Sequence, residues 1–202
     1  MTGPEHTIDR REAIRRVTAL VGGAALVGGN ALLTGCRSPR VASTPSTFPP
    51  FPPTEVAFLD EVADTILPDT KTPGAKAANV GAFVAVMVTD CYDEHDQQVF
   101  RRGMLELDSA SRAANGSTFM SATPAARLAL LHSLDLEQKA YMDKKAASEP
   151  AHYFRMMKEL TLLGYFTSEI GYTQAQRYVE SPGRYDPCLP HTPGERSWAP
   201  HA

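Results

Sequence analysis

Cysteines, histidines and clustered carboxylates are the side chains in this chain of 202 residues that could do chemistry. Of the three cysteines, Cys36 closes the run Leu33-Thr34-Gly35-Cys36. That run has the form of a bacterial lipobox, in which the cysteine becomes the lipidated first residue of the mature protein. Upstream, Arg10-Arg11 precedes a weakly apolar stretch from Val17 to Leu33. An arginine pair before an apolar run is the address read by the twin-arginine export system. A membrane-anchor helix is the competing reading, since about 17–18 apolar residues could just span a bilayer. Gly22, Gly23, Gly28 and Gly29 lower the hydrophobicity of the stretch, and Asn30 interrupts it. Asp9 departs from the Ser or Thr usual before the pair, while Arg15-Arg16 adds positive charge. The expectation is export by the twin-arginine route and residence on the periplasmic or cell-surface side of a membrane, anchored through Cys36. One lipid chain binds membranes only marginally, so stable anchoring takes more than one.

Cys91 and Cys188 remain. In an oxidising compartment they could pair as a disulfide, or Cys91, on an apolar helical stripe, could be a small buried hydrophobe. The histidines of the mature part, His95, His132, His152, His191 and His201, are scattered along the chain. Asp93-Glu94-His95-Asp96 could ligate a hard cation, but neighbours on a helix point in different directions and acidic side chains suit a helix N-terminus. A solvated cap is the better reading, and Glu55, Asp60, Glu61 and Asp64 read as the wet face of a helix. The chain has no Cys-x-x-Cys-His, His-Glu-x-x-His or Gly-x-Ser-x-Gly motif and no phosphate-cradling glycine loop. No catalytic, cofactor-binding or metal-binding residue is therefore assigned. Excluding the signal leaves 16 basic and 20 acidic residues, a net charge near −4 with no basic stripe. Nucleic acid is not an expected partner.

The elements that must position these groups are helical. Residues 1–35 read as the signal and 36–53 as the lipidated cysteine with a tether. Six prolines between Arg37 and Pro53 favour extended polyproline conformation, up to about 50 Å long. Residues 54–202 read as an all-α, single helical-bundle-like domain of about five to six helices with an irregular C-terminal tail. Thr54 reads as the cap of a first helix, with Leu59, Val62, Ala63, Ile66 and Leu67 at helical spacing up to Pro68. Asn79 reads as the cap of a second, with Val80, Phe83, Val84, Met87, Val88 and Cys91 on one face. A third covers Gln97 to Ala114 and ends at Asn115-Gly116. Thr123-Pro124 starts a fourth, with Leu128, Leu131 and Leu134 inward, running to about Ala147. Pro150 starts a fifth, and a short sixth covers Thr173 to Glu180. The aromatic pairs Tyr153-Phe154 and Tyr165-Phe166 read as core rather than as a ligand platform. Gly164 to Gly171 breaks helical pattern, which marks close backbone approach or a docking surface.

Three stretches together resemble a known family: residues 58–75, FLDEVADTILPDTKTPGA; residues 160–169, LTLLGYFTSE; and residues 181–185, SPGRY. They are similar to the gluconate 2-dehydrogenase subunit 3 family, the small subunits of membrane-bound flavin sugar dehydrogenases, over roughly Thr54 to Trp198. The resemblance implies a noncatalytic partner of a large flavoprotein of the glucose–methanol–choline type. FAD would sit on that large subunit, and a c-type cytochrome could form a third. The twin-arginine signal would carry the folded, flavin-loaded partner across the membrane. The resemblance also places the partner interface at Pro68, Asp69, Thr70, Pro73, Gly74, Ala75, Gly164, Tyr165, Phe166, Ser168, Glu169, Pro182 and Gly183. A stand-alone redox protein and a structural lipoprotein without a dehydrogenase partner are the alternatives.

Overall fold

Proline and the hydrophobic period together set where the first helix begins. The structure, a computed structural model, describes Arg11 and residues 48–181, 183–184 and 186–199. Of two compact units, residues 1–45 and 46–202, the second holds everything that follows. Arg10 and Cys36, on which the expected export signal rests, lie outside the described residues. Among the described residues there are five α-helices, one 3-10 turn, one π-helical turn and no sheet.

Helix α1, Pro53–Ile66, starts two residues earlier than a cap at Thr54 would start it. Pro52 is extended and Pro53 occupies the first turn, where a missing N–H is harmless. Helix α2, Val80–Cys91, follows a loop; helix α3, Glu94–Asn115, is the longest. Asp93 caps α3, accepting from the Asp96 amide at 2.8 Å, so the acidic run is indeed a helix cap. Gly116 ends α3 in the left-handed conformation at φ 69°. Thr123 caps α4, Pro124–Met142, as its hydroxyl predicts. Helix α4 stops five residues before Ala147. Its buried row is Leu130, Leu131, Leu134 and Gln138, and no apolar residue beyond Met142 continues it. On that row Leu128 falls outside, 59% exposed, contrary to expectation. Helix α5, Tyr153–Phe166, begins three residues after Pro150, capped by His152 Nδ1, which accepts from the Phe154 amide at 3.2 Å.

Phe100, Leu107, Phe119, Phe154, Met157, Val62, Val80 and Val88 are essentially inaccessible and form the centre. Phe119 is delivered by the 3-10 turn Phe119–Ser121, whose first amide donates to Asp108 Oδ1 at 2.8 Å. Both ends of the domain are tied down more than proline content suggests. The Arg101 guanidinium lies 3.8 Å from the Phe51 ring centroid and donates to the Pro49 carbonyl at 2.7 Å. Phe48 to Phe51 are therefore held against α3. At the other end the expected helix 173–180 is replaced by a π-helical turn, Gly171–Ala175. Arg177 then pairs with Trp198: its amide donates to the Ser197 carbonyl and its carbonyl accepts from Ala199, both at 2.9 Å. The Arg177 guanidinium stacks on the Trp198 ring at 4.4 Å, and Arg196 donates to the Gln174 carbonyl at 2.8 Å. This tail is fastened because a C-terminal arginine meets the carbonyls that a helix end leaves unpaired.

Helices α4 and α5 are joined through one carboxylate. Asp135 accepts from Lys158 at 2.6 Å and lies 3.1 Å from Lys139. The Lys158 hydrogen bond leads in holding its pKa down at about 2. A depressed carboxylate contributes stability that is full above about pH 4 and lost as pH falls towards about 2. Solvent screening limits the contribution to about 1 kcal/mol. Asp135→Asn is accordingly expected to be about 1 kcal/mol less stable than wild type at neutral pH, with the gap closing near pH 2. Urea titrations at a series of pH values check this, and parallel curves for the two proteins would refute it.

Candidate partner-docking site

The loop from Leu67 to Asn79 carries the second half of the first family-like stretch, and its shape is set by backbone packing. The Ala75 amide donates to the Leu67 carbonyl at 2.8 Å, closing the loop on itself. Inside it, the Thr70 amide donates to the Thr72 carbonyl at 3.0 Å and the Gly74 amide donates to Asp69 Oδ1. A side chain at Gly74 would put Cβ 2.6 Å from the Leu67 carbonyl oxygen and 2.7 Å from the Asp69 amide nitrogen. Only glycine fits that approach.

The second stretch meets the first at one hydrogen bond. Tyr165 on α5 is buried, and its hydroxyl donates to the Pro73 carbonyl at 2.7 Å across 92 residues of sequence. Next to Tyr165 on α5, Gly164 lets the Phe83 ring close on the helix: a Cβ there would lie 2.5 Å from Phe83 Cδ1. The break at the end of α5 is held by Ser168, whose hydroxyl donates to the Tyr165 carbonyl at 2.7 Å and accepts from the Gly171 amide at 3.0 Å.

These residues converge on α2. Asn79 stands at its cap position but is left-handed, at φ 53°, and its side chain caps nothing. The cap comes instead from α1: Asp60 Oδ1 accepts from the Gly81 amide at 2.8 Å. Glycine at 81 admits the carboxylate, since a Cβ would lie 2.5 Å from that same oxygen. Asp60 is therefore not on a wet face. Nor is Glu61, which is paired with Arg127 and lies 3.0 Å from Lys76.

Of the residues assigned to the interface, Gly74, Ala75, Gly164 and Tyr165 are buried in the chain's own packing. Pro73, Phe166 and Ser168 are half-buried; Pro68, Asp69, Thr70, Glu169 and Gly183 are exposed. Pro182 lies outside the described residues. Asp60, Gly81, Phe83 and Arg101 were not legible as functional positions, since nothing local in sequence ties an acid to an amide 21 residues on. Cys91 and Cys188 are both free and exposed, so neither the disulfide nor the buried-hydrophobe reading of Cys91 describes the structure. Cys91 ends α2 with its sulfur 3.9 Å from Met87 Sδ.

The site has packing geometry rather than reactive geometry. Among the described residues no group of three or more His, Cys, Asp or Glu could hold a metal, and no helix is long and apolar enough to cross a membrane. Tyr153 is pushed up to about 12 by burial, with Glu137 and Glu106 adding to it, and its ring fills the space beside Gly103. Burial likewise lowers Arg101, against the pull of Glu55. An apolar groove of about 600 Å³ lies between α1 and α3, lined by Phe58, Met104, Leu105 and Met120 among others.

Gly74, Gly81 and Gly164 are the close approaches that set α2 and its loop against α1 and α5. A family model described as Gluconate 2-dehydrogenase subunit 3 matches residues 53–183, and the chain belongs to that family. It is thus a subunit of a dehydrogenase assembly. No curated protein and no solved structure matches the chain.

Two substitutions test the brace. Tyr165→Phe leaves the Pro73 carbonyl without its donor and should cost about 1–2 kcal/mol. Gly74→Ala forces backbone atoms apart and should cost about 1–3 kcal/mol. Chemical denaturation measures both. Wild-type stability in either variant would show that the loop does not constrain the fold.

Proposed function

We propose that this chain is the noncatalytic, gamma-type small subunit of a membrane-bound, FAD-dependent dehydrogenase of sugars or alcohols, resembling gluconate 2-dehydrogenase. It assists export, stability and anchoring of a large glucose–methanol–choline-type flavoprotein, with a c-type cytochrome as an optional third subunit. The observation that carries the reading is the order of features along one chain. A twin-arginine pair and a lipobox cysteine precede a family match covering residues 53–183. A flavin is inserted into a folded protein, and the twin-arginine route takes folded cargo, so a signal on the small subunit can serve both chains. FAD would sit on the large flavoprotein, as the family resemblance implies. Lipidated Cys36 would make this subunit the anchor.

The test is a mild-detergent pull-down of the tagged chain from native membranes, read by flavin absorbance and mass spectrometry. A near-stoichiometric FAD-containing dehydrogenase is expected; a colourless, unaccompanied chain would overturn the reading. Cys36→Ser should move chain and flavin activity together from the membrane to the soluble exported fraction. Replacing Arg10 and Arg11 by lysine should hold both in the cytoplasm. Flavoprotein that still reaches the outside in the arginine variant would show that it travels without this subunit.

A further inference from the structure

The residues from Val80 to Val88 on α2 carry no polar side chain. A helix that is apolar all round is a helix covered all round, yet this domain covers α2 incompletely. Val80, Gly81, Val84, Ala85 and Val88 face inward. Phe83 turns to α5 at Gly164. Ala82 and Val86, spaced i and i+4 on one line, face out, with Val86 57% exposed. On α5, Leu163, beside Gly164, is 46% exposed. Natural domains place single leucines and valines on the surface freely, but here the exposure falls on a helix whose sequence contains no wet side.

Placement and charge select the occupant. Asp60, Gly74, Gly81, Gly164 and Tyr165 fix α2 rigidly, so its outer line is a preorganised ridge. That line continues to Asp90, and Asp93 and Glu94 follow just past the end of the helix, all exposed and without a basic partner among the described residues. Family membership supplies a dehydrogenase assembly for this chain to join. We infer that the outer line of α2, with Leu163, is the docking surface for the dehydrogenase subunit, which presents an apolar strip ending in lysine or arginine. The inference rests on the accessory-subunit reading and deepens it: the family-like stretches act one layer below the contact, as the mount of the helix that makes it. A 12-residue helix is about 18 Å long, enough for the apolar centre of an interface with a polar rim around it.

The experiment uses the full-length tagged chain in native membranes. Val86→Asp and Leu163→Asp place a charge on an exposed position, so circular dichroism and melting should match wild type. Each should reduce the flavin recovered per tagged chain at least about tenfold. Benzoylphenylalanine at position 86 should photo-crosslink to the flavin-carrying chain, and at positions 105 and 128, two exposed leucines on α3 and α4, it should not. Full flavin recovery in both charge variants, crosslinks only from 105 or 128, or crosslinks from 86 to a second copy of this chain would each overturn the surface assignment while leaving the subunit reading intact. A wild-type chain that recovers no flavoprotein overturns both.

Discussion

The carboxylate of Asp60 reaching the amide of Gly81 at 2.8 Å is the contact on which the arrangement of the domain turns. A helix start leaves several amides without partners, and burying them unpaired is costly. Helix α2 cannot satisfy its own start: its first residues are valine, glycine and alanine, and Asn79 is held in a left-handed turn that points its side chain elsewhere. A neighbouring helix must supply the acceptor, and a carboxylate there also complements the helix dipole. Once α1 provides it, the two helices are locked at close range. The loop joining them has little freedom left, which is why Gly74 and the Ala75–Leu67 hydrogen bond are needed to close it. Tyr165 then pins that loop to α5, so three helices and one loop share a single geometry.

Much of this fold is readable from hydrophobic period and capping chemistry. Asp93, Thr123 and Gly116 mark their helix ends because their side chains, or the lack of one, satisfy local backbone groups. The inward row Val99, Phe100, Met104 and Leu107 on α3 is equally legible. The errors arise where the partner is distant in sequence. Asp60 and Glu61 look like surface carboxylates until Gly81 and Arg127 are brought beside them. Leu128 looks inward until the register of α4 is set by Leu130, Leu131 and Leu134. Arg101 carries no local sign that it will hold Phe51 and Pro49, nor Arg177 that Trp198 will return to it.

The candidate site was half legible for the same reason. The family-like stretches signal backbone constraint through proline and glycine, and constraint is what the structure displays. A sequence does not say whether a constrained segment is itself a contact or holds up something that is. Burial separates the two: Gly74, Ala75, Gly164 and Tyr165 are inside, and the helix they brace is partly outside.

The exposed face of α2 also bears on how such a chain behaves alone. Its outward side chains add less to the stability of the isolated domain than buried ones would, because about half of each stays wet after folding. Folding within this chain therefore accounts for only part of their apolar character. An apolar ridge left uncovered is a liability, since large exposed patches promote association. That liability is greatest before a partner binds. On the proposed reading, export as a preassembled complex would remove the interval, because the ridge would be covered before the chain leaves the compartment where it folds. The proposed signal and the apolar ridge would then be two parts of one requirement: a subunit that exposes a preorganised docking helix is best exported with its partner already in place.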